Sequence, residues 1–149
     1  STNSKRQLHT EAIDSSQLIQ QYVLRPFCTG FFMLVSQYME PSHFCLAYLE
    51  DYKMDPHSAT PLLTFSVFND LADSKDVSLV RCDILTKSIP DDEGQRVVSS
   101  LMKNYIDNYE TVQTFNQHPQ EFNIDEYISN MSALWKQAEG VKDGINGER

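Results

Sequence analysis

The longest apolar run of the chain is Phe31 to Met39, FFMLVSQYM. It is too short to span a membrane, which takes about 20 apolar residues, and it reads as a central strand. Alternation puts Phe31, Met33, Val35 and Met39 on one face and Phe32, Leu34 and Tyr38 on the other. Both faces need cover, so the strand belongs inside a sheet with other elements packed on it. Upstream, Leu18, Ile19, Tyr22 and Val23 fall at helical spacing after the possible caps Asp14 or Ser15, which predicts a short helix ending before Pro26. Downstream, Glu40-Pro41-Ser42-His43 is turn chemistry, and Phe44 to Tyr52 predicts a second strand in an antiparallel hairpin.

Lys53 to Pro61 reads as a loop, followed by a third strand over Leu62 to Phe68. Asn69 to Lys75 predicts one helical turn, and Val77 to Leu85 a fourth strand. In that strand Arg81 and Asp83 share a face that should be wet or near an edge, while Val80, Cys82 and Ile84 should point to a core. Pro90 to Tyr109 is the clearest helix: proline and three acids fill its first turn. Val97, Val98, Leu101, Met102, Tyr105, Ile106 and Tyr109 form its apolar stripe. Thr111 to Phe115 is β-prone and reads as a last edge strand, and Asn116 to Phe122 as a loop. Asn123 with Glu126 then approximates a capping box for a helix lined by Ile124, Tyr127, Ile128, Met131, Leu134, Trp135 and Ala138, with a stop at Gly140. The order predicts an α+β fold, a mainly antiparallel sheet covered by helices. A single domain over 14–139 would lie between a flexible N-terminal segment, 1–13, and a flexible tail, 140–149.

Length supports that division, since 149 residues can bury a core without covalent staples. The three cysteines, Cys28, Cys45 and Cys82, contain no CxxC pair, which favours reduced thiols in an intracellular or organellar setting. A formal charge of -9 argues against nucleic acid and against anionic membrane as main ligands, because both select basic surfaces. The start, STNSKRQLHTEA, resembles neither a signal peptide nor an Arg-rich transit helix, so any targeting segment would already have been removed.

Candidate chemistry is sparse. The four histidines, His9, His43, His57 and His118, lie far apart without HxxxH or HExxH spacing, so no metal or other cofactor is implied. Neither a phosphate-binding glycine loop nor a GxSxG nucleophile elbow occurs. Asp91-Asp92-Glu93 suits a helix N-terminus better than paired catalytic carboxylates, whose side chains would have to converge. Cys82 beside Arg81 could be a nucleophile only with a histidine base in reach. Apart from that candidate the sequence shows no catalytic constellation. Aromatic residues are plentiful on the hairpin and third strand, and any left exposed would mark a contact surface.

Two stretches carry a resemblance, Pro61 to Ile84 and Val112 to Ile128. The second contains V-x-T-F-N-x-x-P-x-x-F on Val112, Thr114, Phe115, Asn116, Pro119 and Phe122. Together they resemble the mitochondrial ATP synthase assembly factor 1 family over most of Gly30 to Trp135. The chain departs from that pattern at Pro26-Phe27-Cys28-Thr29-Gly30, which is too short for the family's Pro-Leu-Pro-Arg-like stretch and leaves open whether a loop of the family is missing near Cys28 and Thr29. The resemblance implies a monomeric chaperone of the mitochondrial matrix. It would bind the unassembled beta subunit of the ATP synthase catalytic head, prevent its aggregation and release it to the alpha subunit. It implies no cofactor and no stable membrane insertion. The expected client surface combines Phe115, Asn116, Pro119 and Phe122 with two outward aromatics of the hairpin, Phe32 and Tyr38. The alternative is a carrier with a closed apolar pocket between sheet and helix, lined by Phe31, Met33 and Leu101.

Overall fold

The computed structural model describes residues 17–23 and 31–145. The expectations for residues 1–13 and for the chain around Cys28 and Thr29 lie outside the described residues. Five strands form one sheet in sequential order, β1 (Gln17–Val23), β2 (Phe31–Met39), β3 (His43–Tyr48), β4 (Leu63–Phe68) and β5 (Leu79–Ile84), each antiparallel to the next. The helices are α1 (Leu49–Met54), α2 (Ala72–Lys75), α3 (Asp91–Asp107), α4 (Tyr109–Gln117) and α5 (Ile124–Ile145). The α+β class and the antiparallel sheet expected from sequence are both present.

Four local expectations are corrected. Residues 17–23 form an edge strand rather than a helix; Ile19, Tyr22 and Val23 are β-prone, and pairing with β2 along the whole of β1 outweighs a weak helical period. The strand expected to reach Tyr52 ends at Tyr48, and Leu49–Met54 turns into a helix, with Glu50 and Asp51 in its first turn. Thr111–Phe115 is helical, inside α4, where Val112 reaches the main core (1% exposed) and Phe115 the small cluster; packing overrides the β-propensity of this short segment. Lastly, α5 runs through Gly140 to Ile145, as a helix can at a cost of about 1 kcal/mol for one interior glycine.

The sheet has unequal faces. On one side Leu34, Phe44, Leu46, Leu63, Phe65 and Val67 meet Val97, Val98, Leu101 and Tyr105 of α3 together with Tyr127, Met131 and Trp135 of α5. Phe44 stacks on Phe65 at 4.4 Å between centroids, and Tyr38 and Tyr105 each meet Phe44 edge-on at 5.2 Å. The other side is polar across β3 to β5, where His43 Nδ1 and Ser66 Oγ share a hydrogen bond of 2.6 Å and Arg81 pairs with Asp83 at 3.1 Å. At the β2 end of that face a smaller cluster, Val35 and Leu49 with Met33, Tyr52 and Phe115, is covered by α1 and α4. Arg81 and Asp83 thus lie on the wet face, as their spacing suggested. Of the three residues expected to point to a core, only Ile84 is half-buried; Val80 and Cys82 are exposed, because β5 is an edge strand that α3 covers at one end.

Gly94 makes that cover close. A Cβ at this position would collide with Ile84 Cδ1 and lie 3.0 Å from Ile84 Cγ1 and 3.4 Å from a Leu63 methyl. A side chain there would have to displace the Ile84 side chain or lift α3 off β4 and β5.

Candidate functional site

The residues of the V-x-T-F-N-x-x-P-x-x-F segment occupy the second half of α4 and the turn that leads into α5. Val112 is the anchor in the main core. Thr114 Oγ1 donates to the Glu110 carbonyl at 2.9 Å, and Asn116 Nδ2 to the Val112 carbonyl at 2.7 Å, so both polar side chains turn back on their own helix. Phe115 reaches the small cluster on the opposite face. Pro119 lies exposed in the turn, after which Phe122 folds back onto Phe115 edge-on at 5.1 Å and continues to Tyr127 at 5.5 Å. Asn104 Nδ2 of α3 donates to Tyr127 Oη at 3.3 Å in a buried contact. The segment is therefore a clasp: it joins α3, α4 and α5 and ties both faces of the sheet together at the β1–β2 end.

Asn123 and Glu126 start α5 as the sequence suggested. The Glu126 backbone N–H donates to Asn123 Oδ1 at 3.1 Å, and Asn123 Nδ2 donates to Glu126 Oε2 at 3.4 Å. A shallow polar depression of about 340 Å³ lies beside the turn between α4 and α5, bordered by Glu110, Thr114, Glu121 and Asn130.

The structure brings Phe115, Asn116, Pro119 and Phe122 together and leaves Phe32 and Tyr38 apart from them. Phe32 is 36% exposed at the start of β2 and tilts against Tyr48 at 5.5 Å, on the sheet face opposite to the Phe115 cluster. Tyr38 is not outward, contrary to the expectation: it is 6% exposed. Its ring fills the main core because it shares a strand face with Leu34, and its hydroxyl donates to the Pro41 carbonyl at 2.5 Å.

A closed carrier pocket lined by Phe31, Met33 and Leu101 is also corrected. Leu101 is fully buried in the main core, whereas Met33 packs in the small cluster across the sheet, since alternation along β2 sends it away from α3. For Cys82, burial, then the charges of Asp83 and Asp91, push the thiol above the usual range, the reverse of the lowered pKa that a nucleophile needs. Among the described residues no group of three or more His, Cys, Asp or Glu could hold a metal ion, and no helix is long and apolar enough to cross a membrane.

Residues 11–128, well over half the chain and including the whole clasp as far as Tyr127, match the sequence profile of the ATP11 protein family. The chain belongs to this family. ATP11 is the ATP synthase assembly factor 1 family, so the resemblance drawn from the clasp residues holds. No curated protein matches the chain. Membership places the protein among assembly chaperones of the ATP synthase, a family with no known enzymatic activity, and implies a mitochondrial setting.

Sequence reasoning missed a second feature, an open groove of about 920 Å³ between β5 and α3. Its signal was available in Leu79, Val80 and Leu85, a set of apolar residues on both sides of a strand whose polar pair already indicated an edge.

Proposed function

We propose that this ATP11-family protein binds the unassembled beta subunit of the ATP synthase catalytic head in the mitochondrial matrix. It keeps that subunit from aggregating and yields it to the alpha subunit. The observation that carries this reading is the family match over residues 11–128. Supporting it, the surface exposes large apolar side chains, Leu79 at 55%, Leu85 at 57% and Phe68 at 43% among them, that a holder of apolar interfaces can use. Displaceable binding suits such a surface, because affinity then depends on buried area and complementarity that a better-fitting partner can replace. With no nucleotide-binding motif in the chain, release proceeds by exchange rather than by ATP hydrolysis.

For the clasp we propose a client contact through exposed Asn116 and Pro119 and the outer edges of half-buried Phe115 and Phe122, with Phe32 as a separate contact. Tyr38 contributes by holding the hairpin turn rather than by offering ring surface. Gel filtration of the protein mixed with beta subunit should give a monomeric chaperone in one-to-one complex, and added alpha subunit should return the chaperone to its free elution position without nucleotide. Co-elution with alpha alone, or none with beta, would contradict the assignment.

A further inference from the structure

Among the described residues β5 has a neighbouring strand on one side only. The Leu85 N–H donates to the Leu62 carbonyl at 2.8 Å, and on the other side of β4 the Val67 N–H donates to the Ser42 carbonyl at 3.0 Å, so the odd-numbered residues of β4 bond toward β3 and the even-numbered ones toward β5. The same pattern aims the backbone groups of Leu79, Arg81 and Asp83 at β4. Those of Val80, Cys82 and Ile84 therefore point away from the sheet and stand ready to pair.

Beside this free edge lies the groove under α3. Its floor carries the side chains of Val80, Cys82 and Ile84, its wall Val98 and Met102, and its rim Asp91 and Asp92. Natural edge strands are usually blunted by lysine, proline or a covering element. Here the opposite holds: Leu79 is 55% and Val80 40% exposed, and the only basic residue of the strand, Arg81, is engaged by Asp83 at 3.1 Å.

The geometry points to a strand-addition site, in which an extended segment of an unassembled polypeptide pairs with Val80, Cys82 and Ile84. Its alternate apolar side chains would enter the groove, and its lysines or arginines would face Asp91 and Asp92. Backbone pairing supplies sequence-tolerant affinity, and the groove and its charge supply preference. A second copy of this chain is a poor occupant, since pairing β5 with β5 would bring two acidic rims together on chains of formal charge -9 each. The proposal rests on the chaperone reading for the identity of its client but not for its geometry.

The probe is a capped peptide of alternating valine and threonine with lysine at both ends, added to the full chain while amide hydrogen exchange is followed by NMR. Exchange at Val80, Cys82 and Ile84 should slow on addition, while that at Arg81 and Asp83, already bonded to β4, should change little. Binding should weaken about tenfold in Val80→Lys, which places a cation in the groove, and in Cys82→Pro, which deletes one outward N–H while sparing the β4 ladder. It should also weaken as salt rises. Unchanged exchange at the three amides, or protection already present in the protein alone, would overturn the proposal. So would full affinity in a Val80→Lys variant whose circular dichroism matches the parent. Beta-subunit co-elution without protection of β5 would remove this site and keep the chaperone reading; peptide protection without co-elution would do the reverse.

Discussion

At Gly94 a helix is allowed to touch a sheet. Ile84 and Leu63 occupy the space a side chain would need, so Gly94→Leu should destabilise the fold by about 1–3 kcal/mol, read as a lower urea midpoint. Tyr127 carries a different constraint. Burial raises its phenol pKa above the usual 10.0, with the Asn104 hydrogen bond opposing and Tyr105 adding to the shift. The folded state thus holds the proton more tightly than the unfolded chain. This contribution to stability is complete below pH 10.0 and is lost as pH rises from there through the folded value. Tyr127→Phe should lessen that alkaline loss while costing about 1–3 kcal/mol at neutral pH, because Asn104 loses its partner in the core. Cys82, exposed by area but set in the groove, has its thiol pKa raised. Its alkylation at neutral pH should be slower than that of an unperturbed surface cysteine, and a rate equal to or above that reference would contradict the assignment.

Individual elements differ in how much of their placement could be read in advance. The α3 stripe Val97, Val98, Leu101 and Tyr105 and the Asn123–Glu126 cap were legible because helical period and cap chemistry are local. Asn123→Ala should cost about 0.5–2 kcal/mol, measured by thermal unfolding. Conversely, β1 and α4 were misread, since their identity is decided by what they pack on: β1 by β2 beside it, α4 by two clusters on opposite faces of the sheet. The clasp residues were visible as a motif before their roles were. That Val112 and Phe115 serve different clusters depends on where α4 crosses the end of the sheet, which no local pattern in the segment encodes. Ile124 and Leu134, expected on the buried stripe of α5, are 38% and 43% exposed, because α5 covers the sheet with the narrower stripe Tyr127, Met131 and Trp135.

Across the whole molecule, one face of the sheet carries nearly all the packing, and the two sheet ends differ in what they offer. The β1–β2 end is closed by the clasp, with Asn116 and Pro119 outermost. The β5 end is open, apolar and acidic-rimmed. The first is the proposed client contact and the second the proposed strand-addition site, each a surface for holding a partner. Membership of the ATP11 family gives that partner its context, assembly of the ATP synthase. The direct measurement is light scattering from purified, aggregation-prone beta subunit as this protein is added in increasing molar ratio, with alpha subunit as the parallel client and no ATP present. The account predicts suppression for beta that saturates near stoichiometry and is absent for alpha; continued aggregation of beta at molar excess of folded protein would contradict it.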